Sequence, residues 1–143
     1  MSKEKVFIIG TIFLLALIMV ASSCKTKSSS SVPETVKADP SFANDIQPIF
    51  TNNCALSGCH NSTAQQGLIL GQGQAYSNLV DVSSTEEPNR IRVLPGDSAN
   101  SYLVIKIEGN QTVGVRMPYG QSPLSSVQIQ NIKNWIDRGA KNN

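Results

Sequence analysis

The stretch 52-NNCALSGCHN-61 holds two of the chain's three cysteines and its one histidine. Three chemistries can use that grouping. The first is a disulfide between Cys54 and Cys59, reasonable in an exported protein. Its ring is too small to remove much unfolded-state entropy, and it leaves His60 without a role. The second is zinc. The region from residue 40 onward contains no other Cys or His to complete a set of four, and adjacent Cys59 and His60 would be strained to reach one tetrahedral ion together.

The third is covalently held haem. Two thiols at a fixed spacing can add across the two vinyl groups on a porphyrin edge, and a His directly after the second thiol can reach the iron. The familiar spacing is C-x-x-C-H. Here the pattern is C-x4-C-H, with Ala55-Leu56-Ser57-Gly58 between the thiols. Ser57 and Gly58 permit the tight backbone that such a loop needs. Iron held this way takes a sixth ligand or keeps an open position. Outside the N-terminal apolar run and the initiator, the only methionine is Met117, in 116-RMPYG-120. A lone Met ordinarily fills core space. This one sits in a polar loop just before the last helical pattern, where a ligand for the second haem face would come from. A His/Met pair raises the reduction potential, which suits an electron carrier.

Outward from this loop, the pattern is short helices separated by long connections. In 39-DPSFANDIQPIFTNN-53, Asp39 is the expected N-cap, with Pro40 at the first helical position. Phe42, Ile46, Ile49 and Phe50 form one apolar face. Pro48 should kink or restart the helix, giving two short pieces or one bent one that ends before Cys54. A short helix is expected near 74–81, and Ile91, Val93 and Leu94 read as extended. In 97-DSANSYLVIKIEG-109, Asp97 or Ser98 caps a helix that Gly109 ends. Strand is the competing reading because Val104, Ile105 and Ile107 are β-branched. In 125-SSVQIQNIKNWIDRGA-140, Ser125 and Gln128 form a capping box, Ile129, Ile132 and Ile136 share a face, and Gly139 stops the helix. Trp135 and Phe50 read as core contacts. Connections this long are unusual for a plain helix bundle and suggest a domain organised around something besides its own core.

The segments 45-DIQPIF-50, C-x4-C-H, 95-PGDSANSYL-103, 117-MPYG-120 and 135-WIDRGA-140, in that order, resemble the small c-type cytochrome domains of bacterial exported proteins, in the class I cytochrome c superfamily. The match runs over most of 41–140. The resemblance implies an all-α, cytochrome c-like fold with N- and C-terminal helices crossing beside one haem c. It also implies thioethers at Cys54 and Cys59, His60 as proximal ligand and Met117 as distal ligand. The x4 loop departs from the commonest spacing, although the longer variant occurs among known c-type cytochromes. Arg90, Arg92 and Arg116 are candidates to pair with a haem propionate. Tyr119 has no assigned role.

The N-terminus reads as an export segment. Lys3 and Lys5 precede an apolar run from Val6 to Ala21 of 16 residues, short of the ~20 that span a bilayer. That pattern is a signal peptide over 1–23, with an uncut membrane anchor as the other reading. The run ends in 20-VASSC-24, which resembles the lipobox of bacterial lipoproteins, with Ala21 at the position usually held by Leu. The resemblance implies lipidation at Cys24 and stable attachment to a membrane of the cell envelope. A plain secretory signal would instead leave Cys24 an exported thiol. Residues 24–39 read as a lipid-anchored flexible tether, and 40–143 as one monohaem domain in the periplasm or outside the cell.

From residue 40 onward seven Lys/Arg balance seven Asp/Glu. No basic stripe is present for nucleic acid, and no paired acid and base suited to hydrolysis stands out. The expected activity is single-electron transfer with redox partner proteins, alone or within an oxidoreductase complex. Two rivals remain at this level: an open-iron haem sensor or peroxidase-like protein, and a cofactor-free interaction module with a Cys54–Cys59 disulfide.

Overall fold

The computed structural model describes residues 35–143. The expected signal peptide and the Cys24 lipidation site lie outside the described residues. The described chain is helical, and no helix in it is long and apolar enough to cross a membrane. A π-helical turn, Phe42–Ile46, runs directly into α1, Gln47–Asn53. A 3-10 turn at Gln65–Gly67 follows, then α2 (Ala75–Leu79), α3 (Tyr102–Glu108) and α4 (Ser126–Asp137). Among the described residues no strand forms. The expected extended stretch makes two isolated bridges, Val80 with Val93 and Ser83 with Ile91.

The first element starts later than expected. Its N-cap is Ser41, not Asp39, so Pro40 precedes the helix. Ser41 is extended, at φ −80° and ψ 137°, and its Oγ accepts from the Asn44 N–H at 3.4 Å. In return the Ser41 N–H donates to Asp45 Oδ2 at 2.9 Å. That exchange satisfies donors at the helix start, which Asp39 is placed too early to reach. Pro48 falls in the first turn of α1, where a missing N–H is tolerated. The result is one continuous element, the π-turn passing into α1 without a break at Pro48.

Helix prevails over strand at α3. Val104 and Ile107 are buried and α3 packs against α4, so tertiary packing overrides β propensity. The cap is again shifted: Ser101 holds the N-cap position. Asp97 closes its own turn, accepting from the Asn100 N–H at 3.0 Å. Ser98 donates to Asp137 at the end of α4, with backbone and side-chain distances of 2.9 and 3.0 Å. Gly109 ends α3 at φ 84°.

The α4 cap follows the sequence pattern. Gln128 N donates to Ser125 Oγ at 3.2 Å, and Ser125 N donates to Gln128 Oε1 at 2.8 Å. Ile132, Trp135 and Ile136 are buried, with Ile129 packed at their edge. Trp135 and Phe50 belong to the core, as expected. Phe42 joins both ends of the domain: its ring lies 5.2 Å from Trp135 and 5.4 Å from Tyr76.

Part of the stretch read as tether is fastened to the domain. Fully buried Asn131 on α4 uses its amide like a peptide group. Its Oδ1 accepts the Lys37 N–H at 2.7 Å, and its Nδ2 donates to Thr35 O at 3.0 Å. Asn134 adds a bond to Lys37 O at 2.6 Å. Asn131→Ala removes both partners of a backbone strap and leaves a small void. We expect a loss of about 1–3 kcal/mol in urea unfolding, together with faster cleavage near Lys37 by trypsin. Unchanged stability and cleavage would contradict this docking.

Candidate functional site

The cysteine loop begins as an extension of α1. The Cys54 and Ala55 N–H groups both donate to Phe50 O at 2.8 Å. The chain then turns back on itself. Cys59 N donates to Leu56 O at 3.0 Å and His60 N to Cys54 O at 3.1 Å. Gly58 makes this possible at φ 78°, a conformation that side chains disfavour. Leu70 N then donates to His60 O at 2.7 Å, tying the loop to the segment that follows. The four residues between the thiols therefore form a closed turn.

This turn opens onto a cavity of about 480 Å³, within the ~300–1,000 Å³ typical of ligand sites. Cys54, Cys59 and His60 line it, and so does Met117 from the loop between α3 and α4. Its apolar wall includes Leu68, Leu70, Leu79 and Ile107. All four expected site residues in the described chain thus meet at one cavity. Of the three arginines considered, only Arg92 reaches it. Arg90 pairs with Glu87 at 2.9 Å, and Arg116 packs its stem over Gly109. Tyr119 lies at the rim, 70% exposed.

The thiols differ. Cys54 and Cys59 are free, and Cys54 is buried while Cys59 is partly exposed. Burial, with a smaller contribution from Cys59, pushes the Cys54 thiol up to about 12. Among the described residues no three His, Cys, Asp or Glu side chains converge to hold a metal ion.

His60 is set up by its neighbours. Its Nδ1 lies 3.3 Å from Leu68 O. A carbonyl only accepts, so Nδ1 carries the proton and Nε2 keeps its lone pair, the usual arrangement behind a ligating imidazole. Burial lowers the His60 pKa from its ordinary value. The carbonyls of Leu68 and Gln65 oppose that shift, and the charges of Arg92 and Lys106 add to it.

Apart from Arg92, the polar wall was not legible from the sequence. Glu86 Oε2 accepts from Lys106 Nζ at 2.6 Å and from Tyr102 Oη at 2.8 Å. Tyr102 and Lys106 are one helical turn apart on α3, a spacing that could have flagged them. Glu86, from a loop, carries no such signal. Arg92 is 8% exposed and makes no ion pair among the described residues. Its guanidinium donates to Asn78 O, Gln66 O, Gly67 O and Thr85 Oγ1 at 2.9–3.3 Å. These are neutral acceptors, and desolvation alone lowers its pKa. The wall therefore carries two cations against one carboxylate, an excess of positive charge around an apolar space. That combination suits an amphiphilic ligand with acidic groups.

Comparisons with protein-family models, with curated proteins and with solved structures found no match in any of the three.

Two measurements probe this geometry. In protein produced without an attached group, a maleimide at mildly alkaline pH should modify Cys59 at least about tenfold faster than Cys54; equal rates would contradict the burial of Cys54. Burial pulls Glu86 upward, but its bonds to Lys106 and Tyr102 outweigh this and leave its carboxyl below the ordinary 4.5. A depressed carboxyl stabilises the fold above its unfolded value and loses that contribution as pH falls through the folded value. The stability gap between wild type and Glu86→Gln should therefore shrink as pH drops below 4.5, in urea titrations at a series of pH values.

Proposed function

We propose that this chain is a lipid-anchored, extracytoplasmic monohaem c-type cytochrome that passes single electrons between redox partner proteins. The observation that carries this reading is the meeting of Cys54, Cys59, His60 and Met117 on one largely apolar cavity. Met117 comes from a different loop, so local sequence alone cannot account for the convergence.

The residues fit haem on four counts. Two unbridged thiols lie beside a space of suitable size. Addition of each S–H across a vinyl C=C moves the hydrogen to one carbon and the sulfur to the other, with no oxidant required. His60 holds its proton on Nδ1 and leaves Nε2 to ligate. Met117 supplies a thioether. The uncompensated charge of Arg92 suits a carboxylate on the ligand, as in a propionate.

When bound, haem supplies an iron that accepts and releases one electron. The chain's own part is to hold, shield and tune it. Cys54 and Cys59 make the attachment permanent. The leucine and isoleucine wall excludes water, and a drier site makes each nearby charge count for more. Cations at the wall favour the electron-rich state by simple Coulomb attraction, and a thioether ligand does the same. Both raise the potential, as a carrier needs. The export signal, the Cys24 anchor and a cell-envelope location belong to the same proposal.

The deciding experiment is haem staining of a denaturing gel of the protein, matured in a host competent for cytochrome c. Wild type should stain, the Cys54→Ala/Cys59→Ala double variant should not, and Met117→Ala should stain but lose the weak far-red sulfur-to-iron band. It should also bind carbon monoxide when reduced and show a lower potential. Colourless wild type that contains a Cys54–Cys59 disulfide would overturn the proposal in favour of an interaction module. Wild type that already lacks the far-red band and binds carbon monoxide would favour the open-iron reading.

A further inference from the structure

The loop that bears Met117 has little apolar burial to hold it. Between α3 and α4, Val113 is 44% exposed, Val115 45% and Tyr119 70%. Its buried residues are Pro118 and, next to α4, Leu124. Met117 is only partly buried against the core, so polar contacts contribute to holding its position.

Lys106 is the node. Its backbone carbonyl accepts the Met117 N–H at 2.9 Å. Its side chain, 8% exposed, reaches Glu86 at 2.6 Å. The Glu86 carboxylate then bears on the same loop at Gly114. A Cβ on Gly114 would lie 1.9 Å from Glu86 Oε1 and 3.0 Å from Lys106 Nζ. Gly114 also sits at φ 70°, so the loop backbone rests directly on the ion pair in a conformation that glycine allows. Beside it, Thr112 Oγ1 donates to Glu87 Oε1 at 3.3 Å. Tyr102 Oη donates to the same carboxylate oxygen as Lys106, Oε2, and leaves Oε1 facing Gly114.

We propose that the Glu86–Lys106–Tyr102 cluster, seated against Gly114, is the device that positions Met117 at the cavity. The function of this device as a ligand clamp rests on the reading of Met117 as the distal ligand. Glu86, Lys106 and Tyr102 are positioning residues: they act on Met117 through the loop backbone. A loosened loop populates a Met-off state, and an external ligand binds in proportion to that population.

The test compares wild type with Gly114→Ala, Glu86→Gln and Ser98→Ala. Gly114→Ala removes no charge and forces the loop and the Glu86 carboxylate apart. Glu86→Gln keeps the shape and removes the charge. Ser98→Ala breaks a contact with α4 away from the loop and controls for a general loss of stability. In the oxidised haem protein, Gly114→Ala and Glu86→Gln should bind imidazole about tenfold more tightly than wild type, with a weakened far-red band. Ser98→Ala should match wild type in both. Wild-type imidazole affinity in both loop variants would overturn the proposal, as would equal tightening in Ser98→Ala.

Hydrogen exchange gives a readout that does not need haem. The Met117 amide, bonded to Lys106 O, should exchange about tenfold faster in Gly114→Ala and Glu86→Gln, with amides of α4 unchanged. Unchanged exchange at Met117 would overturn the positioning role, whatever the pigment. A colourless wild type whose variants still show the exchange effect would instead remove the ligand reading and leave the clamp standing.

Discussion

The aromatic junction between the two ends of the described chain supports everything built on top of it. Phe42, Phe50 and Trp135 are buried together, with Tyr76 against the Phe42 ring. Large aromatic rings bury more apolar surface than any other side chains, so in a domain of about a hundred residues this cluster forms a large part of the core. The C-terminal residue ties the same place from outside. Asn143 O accepts the Ala43 N–H at 2.8 Å, and Asn143 Oδ1 accepts the Phe42 N–H at 3.0 Å. With α1 fixed by this junction, its last turn launches the cysteine loop from a rigid base.

That base matters because the site is made mostly of loops. Cys59, His60, Glu86, Arg92 and Met117 all lie outside the α-helices. Cys59, His60 and Arg92 are held instead by hydrogen bonds between loop backbones, as in the bond from Leu70 N to His60 O, while Met117 N donates to Lys106 O on α3 and Glu86 N to Ser84 Oγ. Such bonds are individually modest, about 1 kcal/mol each, but they need no apolar surface. The chain can therefore keep a cavity of about 480 Å³ beside a small core.

The cavity wall shows two ways of keeping a charge out of water. Lys106 is matched by a carboxylate and a phenol. Arg92 is surrounded by neutral oxygens that satisfy its N–H groups without cancelling its charge. The first arrangement is self-contained and structural in character. The second leaves a positive potential directed over the cavity, which Arg92 lines and Arg90 and Arg116 do not.

The sequence by itself determined what is local. The capping box at Ser125 and Gln128, the stop at Gly139, the turn permitted by Gly58 and the apolar spacing of α1 and α4 all follow from neighbours within a few positions. The grouping of Cys54, Cys59 and His60 is legible for the same reason. Only the tertiary structure decided the rest. Ser41 replaced Asp39 as a cap because Asp45 reaches back to it, and helix prevailed over the competing strand reading at α3 because α4 lies alongside. Glu86 met Lys106 across a fold, and Asn131 claimed residues 35–37 from the tether. No periodicity encodes contacts between distant segments. They arise when burial elsewhere brings polar groups together and leaves each in need of a partner.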